Sequence, residues 1–246
     1  MKVRVAHLYP DYLNIYADRG NIAVFERRAA LRGHSLEVTA VAPGDQLKAA
    51  TFDLVYVGGG QDREQALVAP DLERRGGDLR AAVENGTAVL AVCGGYQLLG
   101  RGYRGRDGSW LPGAGLFPLE TVAGEQRLIG DVLLKVTLDG TTTTVAGFEN
   151  HASRTLLDPN AVPFGRVLAG HGNDGSTGFE GCRVAGAIGT YLHGPLLPRN
   201  PVLADWLLSW ALEHAGGDAV LEQLGDELEH QAHAVSASRA RSRGGR

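Results

Sequence analysis

The chain is poor in cysteine, poor in aromatics and free of long apolar runs. Two cysteines, Cys93 and Cys182, among 246 residues rule out a disulfide-dense scaffold. Unpaired thiols suit a reducing compartment, so a cytoplasmic location is expected. No stretch reaches the roughly 18 apolar residues that mark a transmembrane helix. The first eight residues read as a strand interrupted by Lys2 and Arg4, without the apolar core of a signal peptide. Charge of one sign is also scarce: 24 basic against 28 acidic residues give a net −4. A broad nucleic-acid footprint is therefore not expected. There is no internal repeat.

What the chain does have is glycine, 35 residues of it, and 43% hydrophobic content. That is enough for one or two packed domains. Strand-like runs at 3–8, 36–41, 54–57 and 89–92 alternate with helical patterns, notably 22–31 and 79–84. Such alternation predicts a parallel sheet with helices on its faces, whose ligands bind at the carboxyl ends of the strands. After Gly102 the texture turns to loops and β-rich segments at 115–122, 128–138, 142–148 and 185–192. Residues 201–213 predict an amphipathic helix with Leu203, Trp206, Leu207, Trp210 and Ala211 on one face. A second short helix is expected over 218–229. Residues 1–235 are expected to form one domain. Residues 236–246, rich in Ser, Arg and Gly, are expected to be a disordered basic tail.

Three segments carry chemistry. Val89-Leu90-Ala91-Val92-Cys93-Gly94-Gly95-Tyr96-Gln97 reads as a buried strand, a sharp turn and a helix. The turn lifts Cys93 to the carboxyl edge of the sheet and to a helix N-terminus, where thiolate is favoured. A buried structural cysteine is the plainer account of such a residue. Ala187-Ile188-Gly189-Thr190-Tyr191-Leu192-His193-Gly194-Pro195 ends a second strand at His193, roughly a hundred residues later. A thiolate nucleophile needs a base distant in sequence and adjacent in the fold. Among the eight histidines, His151 and His171 compete for that role, and His7 reads as packed rather than catalytic. Asp53-Leu54-Val55-Tyr56-Val57-Gly58-Gly59-Gly60-Gln61-Asp62 ends a strand in three glycines. Its backbone N–H groups suit either an oxyanion or a phosphate, although no Lys-Ser/Thr follows to make a P-loop. Cys182 reads as inert.

In this order, the glycine loop, cysteine elbow and late histidine resemble the class I glutamine amidotransferases. That family has a flavodoxin-like, mostly parallel α/β sheet flanked by helices. The closer resemblance is to the cobyric acid synthase branch, and within it to the GatD family, the glutaminase subunits of lipid II isoglutaminyl synthases. It is carried further by Leu13-Asn14-Ile15-Tyr16-Ala17-Asp18-Arg19-Gly20-Asn21-Ile22, Arg127-Leu128-Ile129-Gly130-Asp131, Gly147-Phe148-Glu149-Asn150-His151 and the run from Tyr191 to Pro201. The β-rich segments after Gly102 then resemble strands added to the amidotransferase sheet.

The resemblance implies a glutaminase. Cys93 would be the nucleophile and His193 the base, with backbone N–H groups near Gly60 and of Gly94 holding the oxyanion. Gln97, one helical turn after Cys93, faces the same side and is a candidate for binding the substrate amino acid. Arg127, by the same resemblance, would pair with the substrate α-carboxylate. Many members follow the catalytic histidine with Pro-Glu, whereas here Pro195 stands two residues after His193. A Cys–His dyad is expected, or a triad completed from elsewhere by Asp18 or Glu149. Asp18 reads equally well as a helix N-cap.

No metal or cofactor is expected in this chain. ATP and Mg²⁺ would belong to a Mur-ligase-like partner (MurT), joined to this chain as a heterodimer. The pair would amidate the D-glutamate α-carboxylate of lipid II with ammonia from L-glutamine, near the inner face of the membrane. A corrin acceptor of the cobyric acid type, a different cysteine hydrolase and a non-catalytic subunit are the alternatives.

Overall fold

A computed structural model describes residues 1–15, 19–218 and 220–243. The chain runs β1 (Lys2–Leu8), α1 (Arg19–Ala30), β2 (Ser35–Val41), β3 (Leu54–Val57), α2 (Asp62–Arg74), α3 (Gly76–Glu84), β4 (Ala88–Val92) and α4 (Gly94–Leu98). It continues through β5 (Gly102–Arg104), β6 (Trp110–Pro112), β7 (Leu119–Leu138), β8 (Thr141–Leu157), β9 (Gly165–Ala169), β10 (Phe179–Glu180) and β11 (Cys182–Val184). It ends with β12 (Ala187–Thr190), α5 (Pro201–His214) and α6 (Glu227–Arg243).

The first sheet has the order β11-β12-β4-β3-β1-β2. Its pairs are parallel except at the edge, where β11 runs antiparallel to β12. β3 and β4 are buried at every position, as strands covered on both faces must be. Helices supply that cover: α1 turns Ile22, Phe25 and Ala29 inward, and α5 buries Leu203, Ala204, Leu207 and Ala211. The order β2-β1-β3-β4-β12 is flavodoxin-like, with its switch point between β1 and β3. The expected strands at 3–8, 36–41, 54–57 and 89–92 and the helices at 22–31, 79–84 and 201–213 are present, each within a few residues of its expected bounds. Helix α2 had no expectation, because Pro70 interrupts its pattern and prolines disfavour helix interiors.

Two expectations need correction. The β-rich segments after Gly102 do not all extend the first sheet. β5 to β10 form a second one, ordered β10-β9-β7-β5-β6, with β8 also paired to β7. The cause is the β7–β8 hairpin, antiparallel from Leu119↔Leu157 to Leu138↔Thr141. Its turn, with Asp139 at φ 45° and Gly140 at φ 81°, has the positive values that a tight two-residue hairpin demands. Val132, Leu134, Val136 and Val145 of this hairpin share one apolar cluster with β4 and α5.

The second correction concerns the C-terminus. Residues 220–226 lack regular structure, and the helix expected over 218–229 starts only at Glu227. Arg28 grips Asp226 with both ends of its guanidinium, at 2.7 and 2.8 Å, and fixes the approach to α6. The expected disordered tail is helical through Arg243. Ala237 and Ala240 pack on Leu133, Ala146 and Ala169, so a stripe of two small residues docks the helix onto the second sheet. His233 adds polar anchors to Thr144 Oγ1 at 2.8 Å and to the Arg199 carbonyl at 3.0 Å.

Candidate active site

Cys93 has φ 51° and ψ −108°, a conformation that L-residues rarely adopt. It sits between β4 and α4 and is only 6% exposed. Its N–H donates to the Thr190 carbonyl at 2.8 Å, and its own carbonyl accepts the Gln97 N–H at 3.1 Å. These bonds join the strand end, the elbow and the first turn of the helix. The following glycines are required by close approach. A Cβ on Gly94 would lie 2.8 Å from the Gly60 nitrogen, and one on Gly95 would lie 2.7 Å from the carbonyl oxygens of Val57 and Gly58. The glycine triplet after β3 thus abuts the elbow after β4. Gln65 Nε2 holds the Gly60 carbonyl at 3.0 Å and keeps that loop in place.

Cys93 and Gly60 open onto a cleft of about 770 Å³, with Gln97, Arg127, Asn150 and His151 also on its wall. That volume falls in the range for small-molecule sites. The floor comes from the first sheet and the far wall from β7 and β8. Arg127 stands exposed at the rim, its Nη1 donating to Asn150 Oδ1 at 2.8 Å. Gln97 is buried. Its Nε2 donates to the Tyr191 hydroxyl at 3.1 Å and to Ser153 Oγ. The Tyr191 hydroxyl also meets Thr155 Oγ1 at 2.6 Å. Gln97 is therefore a fixed part of the cleft wall rather than a loose surface side chain.

His193 lies just beyond β12, three residues after the Thr190 whose carbonyl receives the Cys93 N–H. It is 1% exposed, and its N–H donates to the Phe148 carbonyl at 3.0 Å. Burial, reinforced by His151 nearby, pushes its pKa down to about 4. The imidazole is thus uncharged at neutral pH, the form a general base needs.

His151, the rival histidine, is also inside. Its ring stacks on Tyr191 with centroids 3.6 Å apart, and its Nδ1 donates to the Ser153 carbonyl at 2.9 Å. His171 contributes its backbone N–H to Glu149 at 2.7 Å. Glu149 also accepts the Gly172 N–H at 2.8 Å, and it stands 3.9 Å from His151 Nε2. Its carboxylate therefore braces the 171–172 loop. Asp18 lies outside the described residues. His7 is buried beside Tyr56, as expected of a packed side chain. Cys182 is fully buried, and burial pushes its thiol up to about 12, well away from the reactive range.

The sequence reading passed over Ser153, Thr155 and Tyr191. A signal was present: Glu149, His151, Ser153 and Thr155 alternate along β8 and all face inward. A strand that turns a polar stripe toward the core marks a site rather than plain packing.

A thiol at a strained strand-to-helix elbow, beside a glycine loop and open to a cleft, makes a candidate cysteine-nucleophile site on a flavodoxin-like sheet. A solved glutamine amidotransferase of Thermotoga maritima shares the fold at a TM-score of 0.53, covering 98% of this chain and 95% of its own, with 18% identity. The profile of the CobB/CobQ-like glutamine amidotransferase domain matches residues 4–201, and the chain belongs to that family. The GatD subunit of the glutamine-hydrolysing lipid II isoglutaminyl synthase of Staphylococcus aureus (strain N315) is 36% identical over 239 residues, 97% of this chain and 96% of its own. The cobyric acid synthase of Rhodobacter capsulatus is 37% identical over 164 residues, 62% of this chain but 32% of its own. The protein is accordingly an enzyme of the glutamine amidotransferase class. Among the described residues no helix is long and apolar enough to cross a membrane.

Proposed function

We propose that this chain is the glutaminase subunit of a lipid II isoglutaminyl synthase. The observation that carries the reading is the end-to-end match, 97% of this chain against 96% of the S. aureus subunit. In this reading glutamine enters the cleft with its α-carboxylate on Arg127 and its side-chain amide at Cys93. His193 takes the Cys93 thiol proton, and Sγ bonds to the amide carbon. The oxyanion sits between the backbone N–H groups of the Gly60 loop and the elbow. Removing one such donor typically costs about 10²–10³ in rate. His193 then gives its proton to the departing nitrogen as the C–N bond breaks, leaving ammonia and a γ-glutamyl thioester. Water, deprotonated by His193, opens the thioester to glutamate and restores the thiol.

Ammonia passes to a Mur-ligase-like synthetase subunit that binds ATP and Mg²⁺ and activates the D-glutamate α-carboxylate of lipid II. The runner-up acceptor is a corrin of the cobyric acid type. It is favoured only by the shorter match to cobyric acid synthase.

The test is reconstitution. A glutamine-mimicking diazoketone should alkylate Cys93 once, and Cys93→Ala should remove the adduct. Co-expressed with the synthetase, and supplied with ATP, Mg²⁺ and glutamine, the pair should amidate lipid II. The Cys93→Ala pair should still do so with ammonia added. Labelling of Cys182, or a pair that amidates a corrin and ignores lipid II, would overturn the corresponding part.

A further inference from the structure

Glu180, at the end of β10, is fully buried and points at the segment that leads to His193. Its carboxyl accepts the Tyr191 N–H at 2.6 Å, and the Thr190 hydroxyl donates to its two oxygens at 3.0 and 3.1 Å. The same hydroxyl accepts the Leu192 N–H at 3.1 Å. The carbonyl of Thr190 holds the Cys93 N–H at 2.8 Å. One residue, Thr190, is thus tied on its side chain to Glu180 and on its backbone to the elbow. The next residue, Tyr191, carries the ring on which His151 stacks and the hydroxyl that fixes Gln97.

We infer that Glu180 is a positioning residue for glutamine hydrolysis: by clamping Thr190 and Tyr191 it fixes the register between the Cys93 elbow and His193. This rests on the proposed Cys93–His193 reading and deepens it. The clamp belongs to the second sheet, while both reacting groups stand at the edge of the first. Glu180 is therefore one of the links that couple the insertion of β5–β10 to the nucleophile. A carboxyl kept only for bulk would not need two donors converging on it from one turn.

The clamp has a protonation state. Burial pushes Glu180 up to about 8, against the downward pull of the Tyr191 N–H, the Thr190 hydroxyl and the Gly181 N–H, and Glu149 from β8 adds to the upward push. Its other titratable neighbours are Tyr96 from α4, Cys182 on β11 and Tyr191 on the turn, none of them cationic at neutral pH. Below about pH 8 the carboxyl is neutral and the turn is held without a second buried charge. Above it, the clamp bonds strengthen, but a carboxylate must share a dry site with Glu149, and the turn shifts to let water reach the new charge.

The test is glutamate release by the full-length chain between pH 6 and 9.5. Wild-type kcat should fall as pH passes about 8, the point at which Glu180 ionises. Glu180→Gln, which stays neutral and keeps an acceptor for the Tyr191 N–H, should retain most turnover and lack that alkaline fall. Thr190→Val and Glu180→Ala should each lower kcat at least tenfold, since a misplacement of about 1 Å costs up to ~10²-fold. KM for glutamine should change less than kcat, because Arg127 on the opposite wall is left in place. Thr190→Ser, which restores the hydroxyl, should recover most of the loss. Should Glu180→Ala not fold, Glu180→Gln and Thr190→Val decide. An alkaline limb identical in wild type and Glu180→Gln, or wild-type kcat in Thr190→Val, overturns the inference alone. Wild-type activity that survives Cys93→Ala overturns the active-site reading, and the inference with it.

Discussion

Two buried groups at the site resist charge in opposite senses, and each leaves a signature in pH. His193 is shifted from 6.5 to about 4, so the unfolded chain takes up a proton there first as pH falls. Its contribution is complete above pH 6.5 and is lost as pH drops toward 4. The acid limb of kcat/KM should accordingly lie below pH 6.5, read from initial rates of glutamate release; a limb at 6.5 or higher would mean that water solvates the ring. Glu180 runs the other way, from 4.5 to about 8. Its contribution is complete below 4.5 and is lost as pH rises toward 8, by at most about 1.4 kcal/mol per pH unit. Urea midpoints of Glu180→Gln should therefore gain on wild type between pH 5 and 8, and parallel curves would contradict that. Cys93, Gly60, Gly94 and Gln97 were legible in the sequence because their signal is local: a strand, a turn, a helix. Glu180 was not. Its partners are the backbone and hydroxyl of residues ten or more positions away, and no spacing rule announces such a bond.

Among the elements, α1, α5 and the approach to α6 are locked by ion pairs. Arg28 and Arg32 both reach Asp205, at 2.6 to 3.1 Å, and Arg28 also holds Asp226. Arg28 is almost wholly buried, so Arg28→Ala leaves two carboxylates short of a partner. A loss of about 3–5 kcal/mol is expected from denaturant unfolding, against near zero for an exposed pair such as Lys2–Glu37. Helix α6 rests on a thinner contact. Ala240 is fully buried against the second sheet, so Ala240→Leu should overpack it and cost about 1–3 kcal/mol by the same measurement. The strands were legible because their apolar runs are dense and short. The tail is helical where its composition is that of a linker, because its apolar docking stripe is just two alanines three positions apart. Composition averages over a window; a helix needs only one face.

At the scale of the molecule, the cleft lies between the two sheets, with Cys93 and Gly60 from one and Arg127, Asn150 and His151 from the other. The sequence showed an α/β texture giving way to a β-rich one after Gly102, but not that the second texture closes its own sheet. Pairing partners are long-range, and the β-rich segments carry no marker of which edge they join. The topology also has a consequence for how the protein is made. β4 is wholly buried and is flanked by β3 on one side and β12 on the other. β3 leaves the ribosome before it; β12 follows about a hundred residues later, after the entire second sheet. Throughout that interval a fully apolar strand has one hydrogen-bonding edge open, which invites pairing with another chain. Nascent chains released at residue 186 should pellet in a chaperone-free translation system, whereas chains released at residue 243 should remain in the supernatant. Equal partitioning would show that something other than β12 shields β4. If the difference holds, the stretch between nucleophile and base sets a window in synthesis during which this protein depends on chaperones.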